Sequence, residues 1–462
     1  MPCTIRPLAA GLRSILAAVL VCAAAAAADQ PQPQRDADQR RALRRTPVVE
    51  VFQQWRNSVV YLTGPTVPDG GPAIDEFFQV PRKTPNVVSA GSGFVIHPAG
   101  YILATAHSVD KVAAHLATFS NQTVYRAELI DVARQHDLAL LKIEPTHRLT
   151  AVRLATSGDL MIGETVIVIS NPHGLMHTCT AGILSATHRA TRLEGQPGVT
   201  LGPLIQTDAG LHPGSSGGPW FNVLGEVIGI TTGGRRDTEG IGFAVTVDAI
   251  RRMLPAMLDV ERRYGIATGL DVHAGDSCKV MGVGGLSSAA AAGLRPGDLI
   301  VRLDGAPVAS GTDFHLALIG RTPGEKLPFE VLRQGKRYRG SLTLGQRPKP
   351  DGAALLKARL GLTAAPLQQS NIPATSLRVA GGVVLTAVAD GLYDQLSNPP
   401  RPGDVLARIN RLRPRDLDHI GLLLERLEPG RPVQLVLLRL DGDMATRIDL
   451  TVTPRPPTTA SQ

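Results

Sequence analysis

Short apolar runs separated by turn residues fill the chain from Val48 to Val245. The clearest are SVVYLTG, GSGFVIHPAGYILATA, LALLKI, ETVIVIS, GEVIGITTGG and IGFAVTV. Runs of this length, bounded by glycine, proline or asparagine, are typical of strands, because an amphipathic helix needs a longer stripe of helical period. Frequent glycine (48) and proline (35) with only 4% aromatic residues favour the same interpretation. The pattern predicts an all-β sandwich or a pair of barrels.

The segment DAIRRMLPAMLDVERRYG follows these strands and changes the period. Its apolar side chains recur at helical spacing, which predicts an amphipathic helix that ends the strand-rich domain. Pro255 lies inside this helix and is expected to kink it. The apolar positions are Ile250, Met253, Leu254, Met257 and Leu258.

A loose internal repeat occupies the rest of the chain. The first copy contains RYGIATGL, AAAAGLRPGDLIVRLDGAPV and LPFEVLRQGKRYRGSLTL, and the second contains RLGLTAAPL, NPPRPGDVLARINRLRP and PVQLVLLRLDGDMATRIDLTV. Each copy begins with glycine between apolar residues, continues with a Pro-Gly-Asp turn that leads into a strand, and ends in a hairpin pattern. The sequence therefore predicts two small domains of one kind.

The N-terminus has the composition of a targeting segment. Arg6 and Arg13 precede the apolar run ILAAVLVCAAAAAA, and Ala26-Ala27-Ala28 forms a cleavage site. The apolar run is shorter than the ~20 residues of a membrane span. We expect cleavage after Ala28 and export, with an uncleaved anchor as the alternative. The mature chain then keeps Cys179 and Cys278, for which free thiols are expected.

Net charge does not indicate a nucleic-acid partner. The chain carries +8 at pH 7, but its basic residues are scattered and do not alternate with aromatic residues.

A second group of residues could bind zinc: His173, His177, Cys179 and His188. Their segment resembles an irregular loop and strand, however, and the spacing of the histidines brings them together only on a helix. We predict no cofactor and no metal.

One turn, LHPGSSGGPW at 211–220, could carry serine chemistry. Attack on a peptide carbonyl by serine needs a base, an acid that orients the base, and N–H donors for the oxyanion. His107 follows the strand GYILATA, and Asp137 precedes the strand LALLKI. The order His, Asp, Ser is a known triad order. From the residues alone, a flexible turn and a solvated Asp137 remain open, as does the choice between the two serines.

The motifs GSGFVIHPAGYILATAHSVD, HDLALLKIE, IGETVIVISNPHGL, TDAGLHPGSSGGPWFNVLGEVIGI and GIGFAVTV together resemble the protease domain of the HtrA/DegP family, from about Thr46 to Met257. The resemblance implies a chymotrypsin-type double β-barrel. It also implies that Ser216 is the nucleophile, His107 the general base and Asp137 its orienting acid. The backbone N–H groups of Gly214 and Ser216 would form the oxyanion hole.

The repeats are similar to the PDZ domains that such proteases carry, in which a loop captures a peptide C-terminus. The implied fold class is mostly β, with the double barrel followed by two small α+β PDZ-like domains. The expected peptide-binding loops are Tyr264, Gly265 and Ile266 in the first copy and Leu360, Gly361 and Leu362 in the second. The expected substrate contacts in the protease domain are Gly214, Ser215, Ile241, Gly242 and Phe243.

The predicted organisation follows from these assignments. It comprises a signal peptide (1–28), a polar linker (29–46), a protease domain (47–260), a first PDZ domain (261–345), a linker (346–357), a second, diverged PDZ domain (358–453) and a disordered tail (454–462).

The resemblance implies an exported, ATP-independent serine endopeptidase that cleaves unfolded or misfolded envelope proteins in the periplasm. It also implies trimers as the basic unit, PDZ grooves that bind peptide C-termini, and no integral span once the signal is cleaved. Two alternatives stay open: a protease-derived chaperone with little turnover, and a regulatory protease with one dedicated substrate.

The sequence departs from the family pattern at several positions. Ser215 replaces the usual asparagine, and only its backbone is expected to matter. His212 also stands at a usual asparagine position and has no assigned role. Trp220 is bulkier than the usual aliphatic residue and is expected to pack under the turn. Phe77 and Phe78 lie in a short version of the regulatory loop, where subunit or domain contacts are expected.

Overall fold

A computed structural model describes residues 32–65, 87–112, 114–192, 200–234, 240–368, 382–410, 412–428, 430–441 and 444–456. The predicted signal peptide, Phe77, Phe78 and the last residues of the predicted tail lie outside these ranges. By contacts the chain divides into two units, 1–53 and 54–462. Among the described residues, no helix has both the length and the apolar character to cross a membrane.

The first six strands close into a barrel in the order β1-β2-β3-β6-β5-β4, with β1 paired to both β2 and β4. Alternate side chains point inward, and Val60, Leu62, Ile102 and Leu141 are among the fully buried residues of its core. The strands are β1 Val59–Pro65, β2 Val87–His97, β3 Tyr101–Ala104, β4 His115–Thr118, β5 Val124–Ala133 and β6 Leu138–Lys142.

The next seven strands form a second sheet in which six close on themselves. The ring runs β11-β8-β9-β10-β13-β12 and is completed by pairing of β11 with β12, while β7 joins β12 in parallel. The strands are β7 Arg153–Leu154, β8 Thr165–Ser170, β9 Thr178–Arg192, β10 Thr200–Thr207, β11 Pro219–Phe221, β12 Glu226–Gly234 and β13 Gly242–Thr246. The predicted double barrel is confirmed.

Helices occupy the segments before, within and after the barrels. The predicted polar linker contains a helix, although its sequence has no apolar period. After β13, α4 begins at the N-cap Thr246, includes Pro255 and ends where Asp259 takes a left-handed conformation (φ 43°). The helices are α1 Gln32–Leu43, α2 Pro47–Trp55, α3 Ala106–Val109, α4 Val247–Leu258 and α5 Val260–Tyr264. Single 3-10 turns cover Arg56–Ser58, Arg134–His136 and Pro172–Gly174.

The first repeat is a small α+β unit. Its largest sheet has the order β18-β17-β19-β20, and two short pairs, β14-β21 and β15-β16, complete it. Its elements are β14 Ile266–Ala267, β15 Leu270–Val272, β16 Val280–Val283, α6 Ser288–Ala291, β17 Leu299–Leu303, β18 Ala306–Pro307, α7 Gly311–Ala317, β19 Lys326–Arg333, β20 Lys336–Thr343 and β21 Gly345–Gln346.

The second repeat is built on a five-stranded sheet in the order β22-β23-β24-β25-β26. Its elements are α8 Gly352–Leu360, β22 Leu362–Pro366, β23 Val383–Val388, β24 Val405–Ile409, α9 Leu417–Glu425, β25 Val433–Asp441 and β26 Met444–Val452. Leu406, Leu435 and Leu437 are fully buried on one face of this sheet.

The Pro-Gly-Asp turn has the same hydrogen bonds in both repeats. Asp298 accepts from the N–H of Arg295 at 2.9 Å, and Asp404 accepts from the N–H of Arg401 at 2.8 Å. Each carboxylate also receives two bonds from an arginine 35 residues further along the chain, Arg333 and Arg439 respectively. The Pro-Gly-Asp turn that is repeated in the sequence is therefore repeated in the structure.

Candidate active site

Two paired strands bring His107 and Asp137 together. Strands β3 and β6 are antiparallel, with Ala104 opposite Ala139, so the end of β3 and the start of β6 are neighbours. Asp137 precedes β6 in a left-handed conformation (φ 53°) and is fully buried. Its Oδ1 accepts from the backbone N–H of His107 at 3.0 Å, and its Oδ2 lies 2.7 Å from Nδ1 of the ring. With Nδ1 bonded in this way, Nε2 is left as the basic nitrogen.

A third donor to the carboxylate comes from the second barrel. The hydroxyl of Thr232, near the end of β12, donates to Oδ2 of Asp137 at 2.5 Å. Sequence reasoning missed Thr232, because a threonine inside an apolar strand such as GEVIGITTGG gives no signal of a polar partner. The bond joins the two barrels at the acid of the candidate triad.

The serine turn leaves two N–H groups unused. All four carbonyls from 213 to 216 accept hydrogen bonds. That of residue 213 accepts from the N–H of His173, and that of residue 215 accepts from the N–H of Gly218. Ser92 donates to the other two, through its hydroxyl to carbonyl 214 and through its N–H to carbonyl 216. The N–H groups of Ser215, Gly217 and Gly218 donate to carbonyls of the protein. Within the described part of the chain, those of Gly214 and Ser216 have no such acceptor. These two groups are the ones predicted to form the oxyanion hole.

The two serines of the turn differ in environment. Ser215 is buried, and its hydroxyl accepts from the Ser170 hydroxyl at 3.1 Å and from the His212 N–H at 3.3 Å. Ser216 is only partly buried. A Cβ placed on Gly91 would meet both the Ser216 carbonyl and the hydroxyl of Ser108, the neighbour of His107. The turn therefore lies against the helix that carries His107.

Glycine is required at two places in this turn because the backbone passes close to other chain segments. Gly214 (φ 99°) lies against the backbone of Asn171 and His173. Gly217 (φ 85°) lies against the carbonyl of Ser92, so a side chain there would overlap it. Both values of φ are ones that residues with a Cβ rarely adopt.

Trp220 packs beneath the turn, as expected. Its side chain is fully buried, and Nε1 donates to the Thr231 hydroxyl at 2.9 Å. That hydroxyl in turn donates to the Gly218 carbonyl at 2.9 Å.

The predicted substrate contacts on β13 have little free backbone. Gly242 and Phe243 are paired with β10 on one side and with β12 on the other, so a substrate strand cannot add there. The partly buried side chains of Ile241 and Phe243 remain predicted contacts. The hydroxyl of Ser215, another predicted substrate contact, accepts hydrogen bonds from the Ser170 hydroxyl and the His212 N–H.

The two predicted peptide-binding loops have the same local structure. Gly265 and Gly361 each end a helix, α5 and α8, with φ 64°, and each leads into a strand whose first residue is buried. Their N–H groups donate back to their own helices, to the carbonyls of Arg262 and Lys357. The conformation is the left-handed C-cap that glycine favours.

Each loop is also held by a tyrosine. The Tyr264 hydroxyl lies 2.9 Å from that of Tyr101 in the first barrel. Burial raises the pKa of Tyr101 well above its usual range, and the hydrogen bond with Tyr264 contributes a smaller part of the same shift. In the second repeat, the Tyr393 hydroxyl donates to the Leu360 carbonyl at 2.6 Å.

The histidines considered as metal ligands have other neighbours. Nε2 of His177 lies 3.1 Å from the carbonyl oxygen of Val59, and burial lowers the pKa of His177. The His173 ring lies 6.1 Å from that of His212, which is exposed. Cys179 and Cys278 are free thiols. Among the described residues, no three histidine, cysteine or acidic side chains are grouped to hold a metal ion.

Comparison with known proteins agrees with the fold. Residues 91–230 match the trypsin-like peptidase domain, and residues 240–344 match the PDZ domain. A trypsin-like domain followed by a PDZ domain defines a serine protease with a peptide-binding module.

Curated relatives are similar over most of their length. The chain is 32% identical to a probable periplasmic serine endoprotease DegP-like of Pseudomonas putida, covering 80% of this chain and 82% of the relative. A protein of the same name from Pseudomonas fulva is 32% identical, covering 85% and 88%. The chain belongs to the DegP-like family of periplasmic serine endoproteases, which confirms the resemblance. Among solved structures, the HtrA-type protease AlgW with decapeptide is 27% identical, with a TM-score of 0.40, covering 66% of this chain and 99% of that one.

Proposed function

We propose that this serine endopeptidase cleaves unfolded or misfolded proteins in the periplasm, with Ser216 as its nucleophile. The observation that supports Ser216 most is the serine turn itself. It leaves the N–H groups of Gly214 and Ser216 without an acceptor among the described residues, and it lies against the helix of His107. Two free N–H groups beside a nucleophile are what an oxyanion requires.

In this proposal, Nε2 of His107 takes the proton of the Ser216 hydroxyl as Oγ attacks the peptide carbonyl. Asp137 keeps the ring in the tautomer that leaves Nε2 unprotonated, and it stabilises the imidazolium that forms. The carbonyl oxygen becomes an oxyanion bound by the N–H groups of Gly214 and Ser216, each worth about 2.7–4 kcal/mol in the transition state. His107 then protonates the leaving amine, and water repeats the sequence to release the acid.

The repeats would supply peptide binding. We assign residues 261–345 to a first PDZ domain and 358–453 to a second, because the two share the glycine C-cap and the arginine-held Pro-Gly-Asp turn. Their loops are Tyr264, Gly265 and Ile266, and Leu360, Gly361 and Leu362. Since the glycine N–H groups bond to their own helices, these two groups can bind a carboxylate only if each loop opens there.

Assembly into trimers is the further expectation that family membership supports. Size-exclusion chromatography with light scattering on the mature chain measures it directly. A monomer at micromolar concentration would contradict it.

Substrate choice is tested with one protein presented in two states. The enzyme should degrade a reduced and carboxymethylated globular protein and spare its native form, because an extended segment is needed to reach Ser216. A periplasmic extract digested in parallel should show many cleaved proteins. Failure to cut the unfolded protein would contradict the proposal, and cleavage of a single extract protein would indicate a dedicated regulatory protease instead.

A further inference from the structure

We infer that Ser92 is a positioning residue that sets the oxyanion hole. This inference rests on the proposed function, since it assumes that the N–H groups of Gly214 and Ser216 bind the oxyanion. Ser92 lies on β2 in the first barrel and is fully buried. Its sequence context, Gly-Ser-Gly, marks close backbone approach but gives no indication of a polar role.

Ser92 holds the serine turn at two points. Its hydroxyl donates to the Gly214 carbonyl at 2.9 Å, and its backbone N–H donates to the Ser216 carbonyl at 2.7 Å. These carbonyls lie on either side of Ser215. A planar trans peptide directs its C=O and N–H groups to opposite sides, so fixing a carbonyl fixes the N–H of the same peptide unit. With the Gly214 carbonyl held, the Ser215 N–H points to the His212 carbonyl and not into the hole.

The same hydroxyl also orders the loop that faces the turn. It accepts from the backbone N–H of Asn171 at 2.9 Å and from Nδ2 of Asn171 at 3.1 Å. Two residues further along, the N–H of His173 donates to the Pro213 carbonyl at 2.9 Å. Because the Pro213 carbonyl and the Gly214 N–H belong to one planar trans peptide, that bond directs the N–H of Gly214 away from His173. Ser92 therefore holds the carbonyl of Gly214 directly. Through Asn171 it also orders the loop of His173, whose N–H orients the peptide that carries the Gly214 N–H.

The buried network around Asn171 is saturated. The second Nδ2 bond goes to the Val60 carbonyl at 2.9 Å, and Oδ1 accepts from the His177 N–H at 2.9 Å. Without the Ser92 hydroxyl, Asn171 loses an acceptor and the Gly214 carbonyl loses the donor that holds it. Glycine imposes little barrier of its own, so the peptide between Gly214 and Ser215 is then held only through the Ser215 N–H, which donates to the His212 carbonyl.

The test compares Ser92→Ala with Ser170→Ala, which removes another buried hydroxyl beside the turn. Ser170 bonds to the Ser215 side chain and not to a carbonyl of the turn. Two quantities are measured for each variant: kcat and KM on a fluorogenic peptide, and the inhibition constant of a peptide boronic acid, whose tetrahedral adduct places an oxygen in the hole. A positioning role affects the transition state more than the ground state.

We expect Ser92→Ala to lower kcat and to weaken the boronic acid by similar factors, about 10- to 100-fold, with KM nearly unchanged. Ser170→Ala should leave kcat and the inhibition constant of the boronic acid within about threefold of the wild-type values. Ser92→Cys, which is somewhat larger and keeps a weak donor, should give values between those of Ser92→Ala and the wild type, and it carries the same comparison if Ser92→Ala does not fold.

A Ser92→Ala enzyme that melts at lower temperature yet keeps its kcat and boronic acid affinity would overturn the inference, since Ser92 would then be only structural. Failure of the proposed site gives a different result: the wild-type enzyme would form no boronate adduct at Ser216. The two failures are thereby distinguished.

Discussion

The carboxylate of Asp137 holds His107 at two points, the backbone N–H at 3.0 Å and the ring Nδ1 at 2.7 Å. The first bond fixes where the helix α3 begins relative to β6, and the second fixes the ring plane. Because Asp137 is fully buried, neither bond competes with water. The geometry is that of a histidine held in one tautomer and one orientation.

Replacing Asp137 with asparagine should therefore cost kcat far more than KM. The amide would favour the wrong tautomer of His107, and the corresponding change in a chymotrypsin-like protease lowers kcat by about 10⁴-fold. Steady-state kinetics on a peptide substrate measures this. Asp131→Asn is the control, since that carboxylate pairs with Arg426 away from His107 and should change kcat less than about threefold. An Asp137→Asn enzyme with near-normal kcat would contradict the assignment.

Thr232→Val should lower kcat by about tenfold or more, because it removes a charge-assisted hydrogen bond to the Asp137 carboxylate, worth about 1.5–3 kcal/mol. Thr232→Ser keeps the hydroxyl and should restore most of the rate. Comparison of kcat for the two variants checks this. Equal rates for valine and serine at position 232 would show that the hydroxyl does not support the acid.

Arg333→Gln should lower the free energy of unfolding of the first repeat at neutral pH, because it leaves the Asp298 carboxylate without its partner. Urea unfolding of the Ser216→Ala background measures the change, since that background avoids self-cleavage. Arg439→Gln should have a similar effect on the second repeat. Arg337→Gln is the surface control and should change stability by less than about 0.5 kcal/mol.

The same pair predicts a pH dependence. Burial alone would raise the pKa of Asp298, but the hydrogen bonds from Arg333 and the Arg295 N–H outweigh it and hold the pKa below its usual value. A depressed carboxyl pKa gives stability that is present above the unfolded pKa and is lost as pH falls through the folded one. The difference between wild type and Arg333→Gln should shrink below about pH 4. A difference that stays constant into acid would contradict the ion pair.

The two loop glycines should differ in their tolerance of alanine. Gly265→Ala should lower the free energy of unfolding by about 1–2 kcal/mol, which is the cost of a left-handed conformation for a residue with a Cβ. No further cost is expected, because the surroundings of Gly265 leave room for a methyl group. Gly361→Ala should be costlier, since the new methyl also meets the side chains of Leu392 and Ala389. Denaturant unfolding compares them. The reverse order would mean that the second loop is looser than its packing indicates.

The strand pattern predicted an all-β sandwich or a pair of barrels, and the resemblance of the local motifs to the HtrA/DegP family then implied the double barrel and the candidate triad of His107, Asp137 and Ser216. The supporting residues were not predictable in this way. Ser92, Asn171 and Thr232 acquire their roles only when strands far apart in sequence pair, which no local pattern encodes.

Two expectations were incomplete for related reasons. The polar segment at 29–46 gave no helical period, yet α1 forms there, since a helix can be made without an apolar face. Ser215 was expected to matter only through its backbone, but its hydroxyl is buried between Ser170 and His212. Burial of that hydroxyl follows from the turn's conformation, which sequence spacing does not give.

The most direct measurement of the central claim uses the two adjacent serines as test and control. Wild type, Ser215→Ala and Ser216→Ala enzymes are treated with a fluorophosphonate, and the modified residue is located by mass spectrometry alongside cleavage of an unfolded protein. We predict a single adduct at Ser216 in the wild type and in Ser215→Ala, with neither adduct nor cleavage in Ser216→Ala. Labelling or cleavage that survives Ser216→Ala, or that is lost only in Ser215→Ala, would contradict the assignment of Ser216 as nucleophile.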